Sequence, residues 1–286
     1  MKELIIILLT ILMGANSFAQ QNPTEQAQPI VEEGKRLYKS EMASWHGTDL
    51  FLEQYTNQEN IGGYFSYSEE DTSKCVFFSK EDIPKIIGTI AFDSTFNTET
   101  AIIDIKERKF SKIEEGLYEI RNKALNLIQS DTLFKLYENT NFNLIPIIHN
   151  KEKKVYILTG PSVSGVVIFG NDYLITFDEE NEIVDKKQLH KNLIPIEYGE
   201  EREDGQIVVG AVHSHLPETG EFITATDICT LMLYAKYAQW KSHNVVSEKY
   251  LNIWNCETNT LTVISMDAVR AMDNHQEKKE KRGKKK

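Results

Sequence analysis

The feature that most limits how this chain can fold is a short apolar run that ends in two histidines. The run, IVVGAVHSH at residues 207–215, is rich in β-branched residues and predicts a buried strand. Alternate side chains of a strand lie on one face, so His213 and His215 are expected to project side by side. Two buried imidazoles need polar partners, and one shared metal ion would satisfy both. A pair of half-buried histidines at the rim of a sheet is the alternative interpretation.

A helix is predicted after this strand, from Thr224 to about residue 240. Thr224 is expected to cap the helix, and Asp227 lies in the first turn, where the helix dipole favours an acid. Capping alone explains the carboxylate. A strand end followed by a loop and a helix start also returns Asp227 to the edge of the sheet, near the two histidines. Two imidazoles, a carboxylate and a water complete a zinc tetrahedron, so the spacing also predicts a zinc site.

These residues resemble the signature of a known enzyme family. His213, Ser214, His215 and Pro217, followed by Thr224-x-x-Asp227, are similar to the H-[ST]-H-P and [ST]-x-x-D motifs of the JAMM (MPN+, JAB-like) metalloproteases. The resemblance covers roughly residues 112–266. It implies an α/β (α+β) fold of the JAMM and cytidine-deaminase-like type, with an antiparallel-rich mixed sheet and flanking helices.

The resemblance also implies a chemistry. One zinc ion would be held by His213, His215 and Asp227, with water as the fourth ligand. In the family, the zinc-bound water attacks an amide bond, and the serine or threonine before the aspartate supports the oxyanion. Thr224 matches that position in this sequence.

The sequence departs from the family pattern around the general base. The family places a glutamate before a glycine-containing hairpin strand, but PSVSGVVIFGN at residues 161–171 has Ser162 and Ser164 there. Loss of a general base weakens catalysis by roughly 10²–10⁴-fold. The loop between His215 and Thr224 is also one residue longer than usual, and the proline of the motif is one position late, because Leu216 directly follows His215. Other carboxylates that could act as the base are those of Glu218 and Glu221 in this loop, and Glu179, Glu180 and Glu182 in a predicted turn.

Two functions from different classes follow. The first is a secreted JAMM-like zinc-dependent hydrolase that cleaves a peptide or isopeptide bond. The alternative is a catalytically degenerate JAMM-like module that binds a protein or cell-envelope partner. An exported effector or toxin-like domain is a third expectation. The three ligand positions favour the hydrolase, and the missing glutamate favours the binding module.

The rest of the chain predicts an exported protein with two folded parts. Residues 1–19 have a basic Lys2, an apolar run and small residues at 17 and 19, as in a signal peptide, so the mature protein is expected to be secreted or periplasmic. An uncleaved N-terminal anchor is the alternative. Residues 20–110 predict a small α+β module, with a helix over 30–45 and strands between 62 and 106. Residues 111–270 form the predicted JAMM-like domain, whose first helix, 111–129, has a capping box. Residues 271–286 predict a disordered basic tail.

The composition of the chain restricts the classes of partner that it can bind. The formal net charge of -11 argues against a nucleic-acid partner, and no transmembrane span is expected once the signal is cleaved. Three cysteines are too few for a disulfide-built scaffold. We expect Cys229 to pack in the core rather than bind metal. His149 and His190 are interpreted as surface or rim residues, and Tyr250 and Trp254 as aromatic core rather than a peptide groove.

Overall fold

The computed structural model of the chain describes residues 22–199 and 208–283, and the predicted signal peptide lies outside them. The fold is mixed α and β with antiparallel-rich sheets, as predicted. The described helices of four or more residues are α1 (Pro23–Gln26), α2 (Gln28–Gln54), α3 (Lys112–Ser130), α4 (Ala225–Tyr234) and α5 (Met266–Gly283). No helix in the described ranges is both long and apolar enough to cross a membrane.

The strands fall into an N-terminal and a C-terminal group. The first group is β1 (Ile61–Glu69), β2 (Thr72–Ser79), β3 (Ile86–Phe92) and β4 (Ile102–Asp104). The second group is β5 (Thr140–His149), β6 (Glu152–Pro161), β7 (Val166–Gly170), β8 (Tyr173–Phe177), β9 (Ile183–Gln188), β10 (Leu193–Glu197), β11 (Gly210–Ser214), β12 (Ser242–Val246), β13 (Tyr250–Asn255) and β14 (Thr260–Ser265).

Four described sheets result from this chain order. The N-terminal sheet is a β1-β2-β3-β4 meander, and the C-terminal strands form the sheets β5-β6-β8-β9, β10-β7 and β11-β12-β13-β14. Every pairing is antiparallel except that of β11 with β12, which is parallel and sets His213 opposite Val245. The helix α4 forms the crossover between these parallel strands, as parallel pairing requires a long connection. This crossover brings the first turn of α4 back toward the histidines of β11.

Helix α2 joins the two groups. Val31 lies in one core with Ile228 of α4, whereas Phe51 stacks on Phe77 of β2 with ring centroids 3.8 Å apart. The approach to α4 is close, because a Cβ added at Gly34 would lie only 2.7 Å from the Cβ of Ile228. A glycine is therefore required where α2 presses against the helix that carries Asp227.

The observed helices differ from the predicted ones mainly at their ends. Helix α3 has the predicted capping box, in which Ser111 and Glu114 bond each other's backbone N–H groups. Helix α2 extends to Gln54, beyond the predicted end at 45, because buried Phe51 continues its apolar face. Helix α4 ends at Tyr234, earlier than predicted. Helix α5 occupies much of the segment predicted to be a disordered tail, since its many Glu, Lys and Gln residues are good helix formers.

Two strands were not predicted. Strand β9 has an exposed, charged sequence, and β12 is a short segment that contains three polar residues before its valines. Both are recruited by pairing with neighbouring strands, β9 with β8 and β12 with both β11 and β13. Tertiary pairing of this kind overrides weak local β propensity.

Candidate metal centre

The paired histidines lie side by side at the end of β11, as the strand periodicity predicts. His213 and His215 are both buried. Their Nε2 atoms are 3.2 Å apart, so both rings face one point. The predicted strand itself is not buried as expected, since Val209 and Val212 are 50% and 60% exposed, whereas the two histidine side chains face the interior.

Asp227 joins this pair and also caps its helix, which were the two roles predicted for it. Its Oδ2 accepts hydrogen bonds from the Thr224 hydroxyl at 2.7 Å and the Thr224 backbone N–H at 3.0 Å. The same Oδ2 lies 3.1 Å from Nε2 of His215, and the carboxylate is fully buried. Its Oδ1 atom has no hydrogen-bond partner among the described residues. A buried carboxylate oxygen without a partner is costly, and a bound cation would satisfy it.

His190 completes the cluster, and its interpretation as a rim residue was wrong. It is only 6% exposed. Its Nε2 lies 3.4 Å from Nε2 of His215 and 3.5 Å from Oδ2 of Asp227. His190 follows β9, in a loop that local sequence periodicity does not place. The buried Leu189-to-Asp172 backbone hydrogen bond, 2.7 Å long, fixes this loop beside the sheet.

The four side chains have the spacing of a metal centre. Their ligand atoms all lie within 4.8 Å of one another. Four ligands at the zinc–nitrogen distance of about 2.1 Å stand about 3.4 Å apart in a tetrahedron. With Oδ2 as the ligand atom of Asp227, four of the six separations lie between 3.1 and 3.5 Å, and Oδ1 of the same carboxylate lies 3.6 Å from Nε2 of His213. The residues present therefore fit a tetrahedrally bound ion, and they can bind a metal.

Two further buried residues hold the ligating rings from behind. Oδ2 of Asp172 lies 3.5 Å from Nδ1 of His190, an ion-pair contact rather than a hydrogen bond, because this nitrogen has no hydrogen-bond partner among the described residues. Nε2 of His243, on β12, lies 2.8 Å from Nδ1 of His213. Histidines that bind metal through one nitrogen usually donate the other N–H to such a partner, which fixes the ring and its tautomer. The sequence analysis did not identify either residue.

Burial and charge set the protonation of the cluster. Burial lowers the pKa of His213 to about 4 and that of His243 to about 3, so both rings are neutral at physiological pH. Burial alone would also lower the pKa of His190, but the neighbouring carboxylates of Asp227 and Asp172 raise it to about 10. Burial opposes ionisation of Asp227, yet the facing His190 and His213 hold its pKa well below the usual range. Without metal, a protonated His190 therefore balances the Asp227 carboxylate, and a metal ion would displace that proton.

The glutamates considered as general bases are not among the four clustered ligands. Glu218 is exposed and lies 3.8 Å from Lys191, while Glu221 accepts a hydrogen bond of 2.9 Å from the backbone N–H of Lys249. Thr224 touches Asp227 but neither glutamate belongs to the four-residue cluster. The remaining candidates, Glu179, Glu180 and Glu182, are all exposed in a turn, as expected from their sequence.

The serines at the expected glutamate position also lie away from the cluster. Ser162 and Ser164 precede β7, whereas Asp172 follows the opposite end of that strand. A five-residue strand is about 17 Å long. The carboxylate that the structure places behind the histidines is thus Asp172, at the other end of the strand.

The other residues singled out from the sequence have ordinary structural positions. Cys229 is buried in a core with Leu37 and Leu233. Trp254 is fully buried, which confirms its interpretation as aromatic core. Tyr250 stacks on Phe222 with ring centroids 5.1 Å apart. His149 is exposed at the end of β5, as expected.

Comparison with known proteins adds no relative. No protein-family model, curated protein or solved structure matches this chain. The JAMM resemblance therefore rests on the motif residues alone, and the buried cluster is the feature of this chain that indicates a function.

Proposed function

We propose that this protein is a JAMM-like domain that binds one metal ion, zinc by preference, through four side chains. The observation that carries the proposal is the convergence of four buried ligand atoms, from His190, His213, His215 and Asp227, within 4.8 Å of one another. Three imidazole nitrogens and one carboxylate oxygen suit zinc, and they also suit copper, iron and nickel. The unpartnered Oδ1 of Asp227 supports the presence of a cation.

We further propose that the ion stabilises a binding module rather than cleaving a substrate. Structural zinc sites are filled by four protein ligands, whereas catalytic sites keep one position for water or substrate. Here His190 supplies the fourth ligand, and all four side chains are buried. The proposed role is that of a secreted or periplasmic module that binds a protein or cell-envelope partner, the export being expected from residues 1–19.

The residues in and around the cluster would each have a distinct role in metal binding. A bound zinc ion would neutralise the Asp227 carboxylate and tie the β9–β10 loop, β11 and α4 together. Asp172 holds the ring of His190, and His243 holds the ring of His213. Thr224 fixes the rotamer of Asp227 through the cap. Ligands held in this way need little rearrangement to accept an ion.

Hydrolysis of a peptide or isopeptide bond is the second candidate, and the contact between His190 and Asp172 favours it. If His190 stays off the ion, then His213, His215 and Asp227 form the ligand set implied by the JAMM resemblance. One position is then open to water. Because a nearby ion would displace the proton of His190, the neutral ring beside Asp172 would then act as the general base in place of the absent glutamate.

Cobalt substitution separates the two candidates. The protein, purified without chelators or a polyhistidine tag, is first assayed for metal by mass spectrometry and then loaded with Co(II). Acetohydroxamate, which binds an open metal position, is added while the visible spectrum is followed. For a four-ligand centre, we expect no spectral change in the wild-type protein and a clear change in His190→Ala, where one position is vacated. A change in the wild-type protein would instead favour the hydrolase.

Two variants calibrate this experiment. Asp227→Ala should lose most of its metal, while His149→Ala, an exposed histidine outside the cluster, should retain it. Failure of the wild-type protein to bind zinc or cobalt at all would refute the metal centre. Cleavage of a peptide library by the zinc-loaded wild-type protein, lost in His190→Ala although the metal is retained, would replace the binding module by the hydrolase.

A further inference from the structure

A cavity of about 590 Å³ lies where α2, the N-terminal sheet and the C-terminal elements meet. Its walls come from α2, β1, β5, the loop before β7 and the end of α4. Cavities of this size at such junctions are common small-molecule sites. None of the four metal-cluster residues lines it. The cavity is therefore separate from the proposed metal centre, and ligand binding there does not depend on the ion.

Aromatic rings line much of the cavity. The lining rings include those of Trp45, Tyr64, Tyr198, Tyr234 and Tyr237. Trp45 and Tyr237 have ring centroids 6.0 Å apart, yet they are 42% and 56% exposed. Aromatic rings left open on a cavity wall offer apolar area and a negative π face to a ligand.

A carboxyl group without a counter-ion lies in the same wall. Asn143 donates a hydrogen bond of 2.8 Å to Oε2 of Glu41, and among the described residues no cationic side chain pairs with Glu41. Burial raises the pKa of Glu41 to about 7, and the Asn143 bond only partly offsets this. Asp49 adds a second acidic group to the wall. An ionised carboxylate in such a place is stabilised by a cation that enters the cavity.

The charged side chains among the described wall residues are all acidic. None of these residues is lysine, arginine or histidine. Arg121 acts electrostatically on Tyr64, but it is not part of the wall. The combination of open aromatic faces, an unpaired carboxylate and no positive side chain matches the chemistry that recognises organic ammonium groups.

We propose that this cavity binds an alkylammonium group, with the charged nitrogen at Glu41 and the alkyl chain against Trp45 and Tyr237. The group comes either from a small free amine or from a lysine side chain of a peptide. Asn143 positions Glu41 by fixing one carboxylate oxygen, which leaves Oε1 to face the cation. A neutral ligand of the same shape would lack the interaction with the carboxylate.

Titration with defined amines tests this proposal on the full chain. The probes are n-butylammonium, Nα-acetyl-lysine methylamide and, as the neutral isostere of the first, n-butanol. Binding is followed by calorimetry and by tryptophan fluorescence, which reports the cavity because Trp45 is exposed while Trp240 and Trp254 are buried. We expect saturable binding of at least one ammonium probe and much weaker binding of n-butanol. Tighter binding of the lysine derivative would identify a peptide as the source, and tighter binding of butylammonium a small amine.

A matched pair of variants assigns the binding to Glu41. Glu41→Gln keeps the size of the side chain and can still accept the Asn143 bond, so it should fold while losing at least tenfold in ammonium affinity. Glu53→Gln changes an exposed carboxylate on the same helix outside the cavity and should bind like the wild-type protein. Near-UV circular dichroism checks the fold of both. The proposal is overturned if neither amine binds saturably, if n-butanol binds as tightly, or if Glu41→Gln leaves the affinity unchanged.

Discussion

Single residues behind the ligands decide how well the cluster is organised. Asp172 lies behind the ring of His190, and His243 lies behind the ring of His213. Asp172 is itself held, since its Oδ1 accepts the backbone N–H of Thr159 at 2.9 Å. Burial raises the pKa of Asp172, and His190 works against that rise. The carboxylate therefore supports His190 from a fixed position.

Asp172→Asn is expected to weaken metal binding by about 10–100-fold. The amide oxygen can keep the Thr159 bond, but the amide N–H₂ then faces Nδ1 of His190, and the ring loses the nearby negative charge. Competition with a chromogenic chelator measures the affinity, and Asp185→Asn, the same acid-to-amide exchange at an exposed position of β9, serves as the control. Unchanged affinity in Asp172→Asn would show that His190 needs no support from this carboxylate.

Glu114 is a second residue whose charge matters, here for stability. Burial alone would raise its pKa, but two hydrogen bonds from the Arg108 guanidinium, 2.6 and 2.7 Å long, and one from the Ser111 N–H hold the pKa at about 2. Because the folded-state pKa lies below the usual value of about 4.5, the resulting stability is present above pH 4.5 and is lost as pH falls toward 2.

Glu114→Gln should lower the free energy of unfolding at pH 7 by about 1–2 kcal/mol. The effect is not larger because the Arg108 side chain is partly exposed, and solvent screens its interaction with Glu114. The difference from the wild-type protein should shrink as the pH falls below 4.5, since protonation removes the same charge. Urea denaturation at several pH values measures both effects. A difference that stays constant down to pH 3 would contradict the assigned role of the charge.

At the scale of elements, the crossover from β11 through α4 to β12 assembles most of the centre. Strand β11 carries two ligands, α4 carries the third in its first turn, and β12 supplies His243 beside His213. Helix α2 packs closely against α4 at Gly34. The position of Asp227 thus depends on how closely two helices approach.

Gly34→Ala is expected to destabilise the protein by roughly 1–3 kcal/mol, because overpacking outweighs the better helix propensity of alanine. The added methyl would lie 2.7 Å from the Cβ of Ile228 and 2.9 Å from a backbone oxygen, neither of which can move alone. Gly116→Ala on α3 is the matched control, since its methyl would meet only the flexible end of Ile148. Thermal unfolding compares the two variants, and equal stability would show that α2 is free to move away from α4.

At the scale of the whole molecule, the ion would connect segments that are otherwise joined only by packing. The β9–β10 loop, β11 and α4 belong to different stretches of chain but meet at one point. The aromatic cavity lies at a second junction, between α2 and the C-terminal elements. Metal binding and ligand binding are therefore expected to act on different parts of the fold.

Removal of metal with a chelator should lower the melting temperature of the wild-type protein without unfolding it at room temperature. A ligand at a hundredfold excess over its dissociation constant stabilises by about 2.7 kcal/mol, which corresponds to a shift of several degrees in a protein of this size. The pre-formed sheets and cores should keep the apo protein folded. Differential scanning calorimetry with and without chelator measures the shift, and Asp227→Ala should show none. Complete loss of the fold on chelation would mean that the ion nucleates the domain rather than reinforcing it.

The sequence by itself determined features that depend on neighbours along the chain. Strand periodicity placed His213 and His215 on one face, and the capping pattern placed Asp227 in the first turn of a helix. The same local rules predicted the capping box of α3 and most strands. These features follow from residues a few positions apart, whose geometry is set by the backbone conformation of one element.

Only the tertiary structure decided which distant residues meet those ligands. His190 is 25 residues from His215 in sequence, and His243 is 30 residues from His213. His190 lies in a loop and His243 in a weakly patterned strand, so neither has a local signal that distinguishes a ligand from a rim residue. The pairing of β11 with β12 and the anchoring of the β9–β10 loop beside Asp172 bring them together. Contacts between such segments depend on the packing of whole sheets, and local periodicity does not encode that packing.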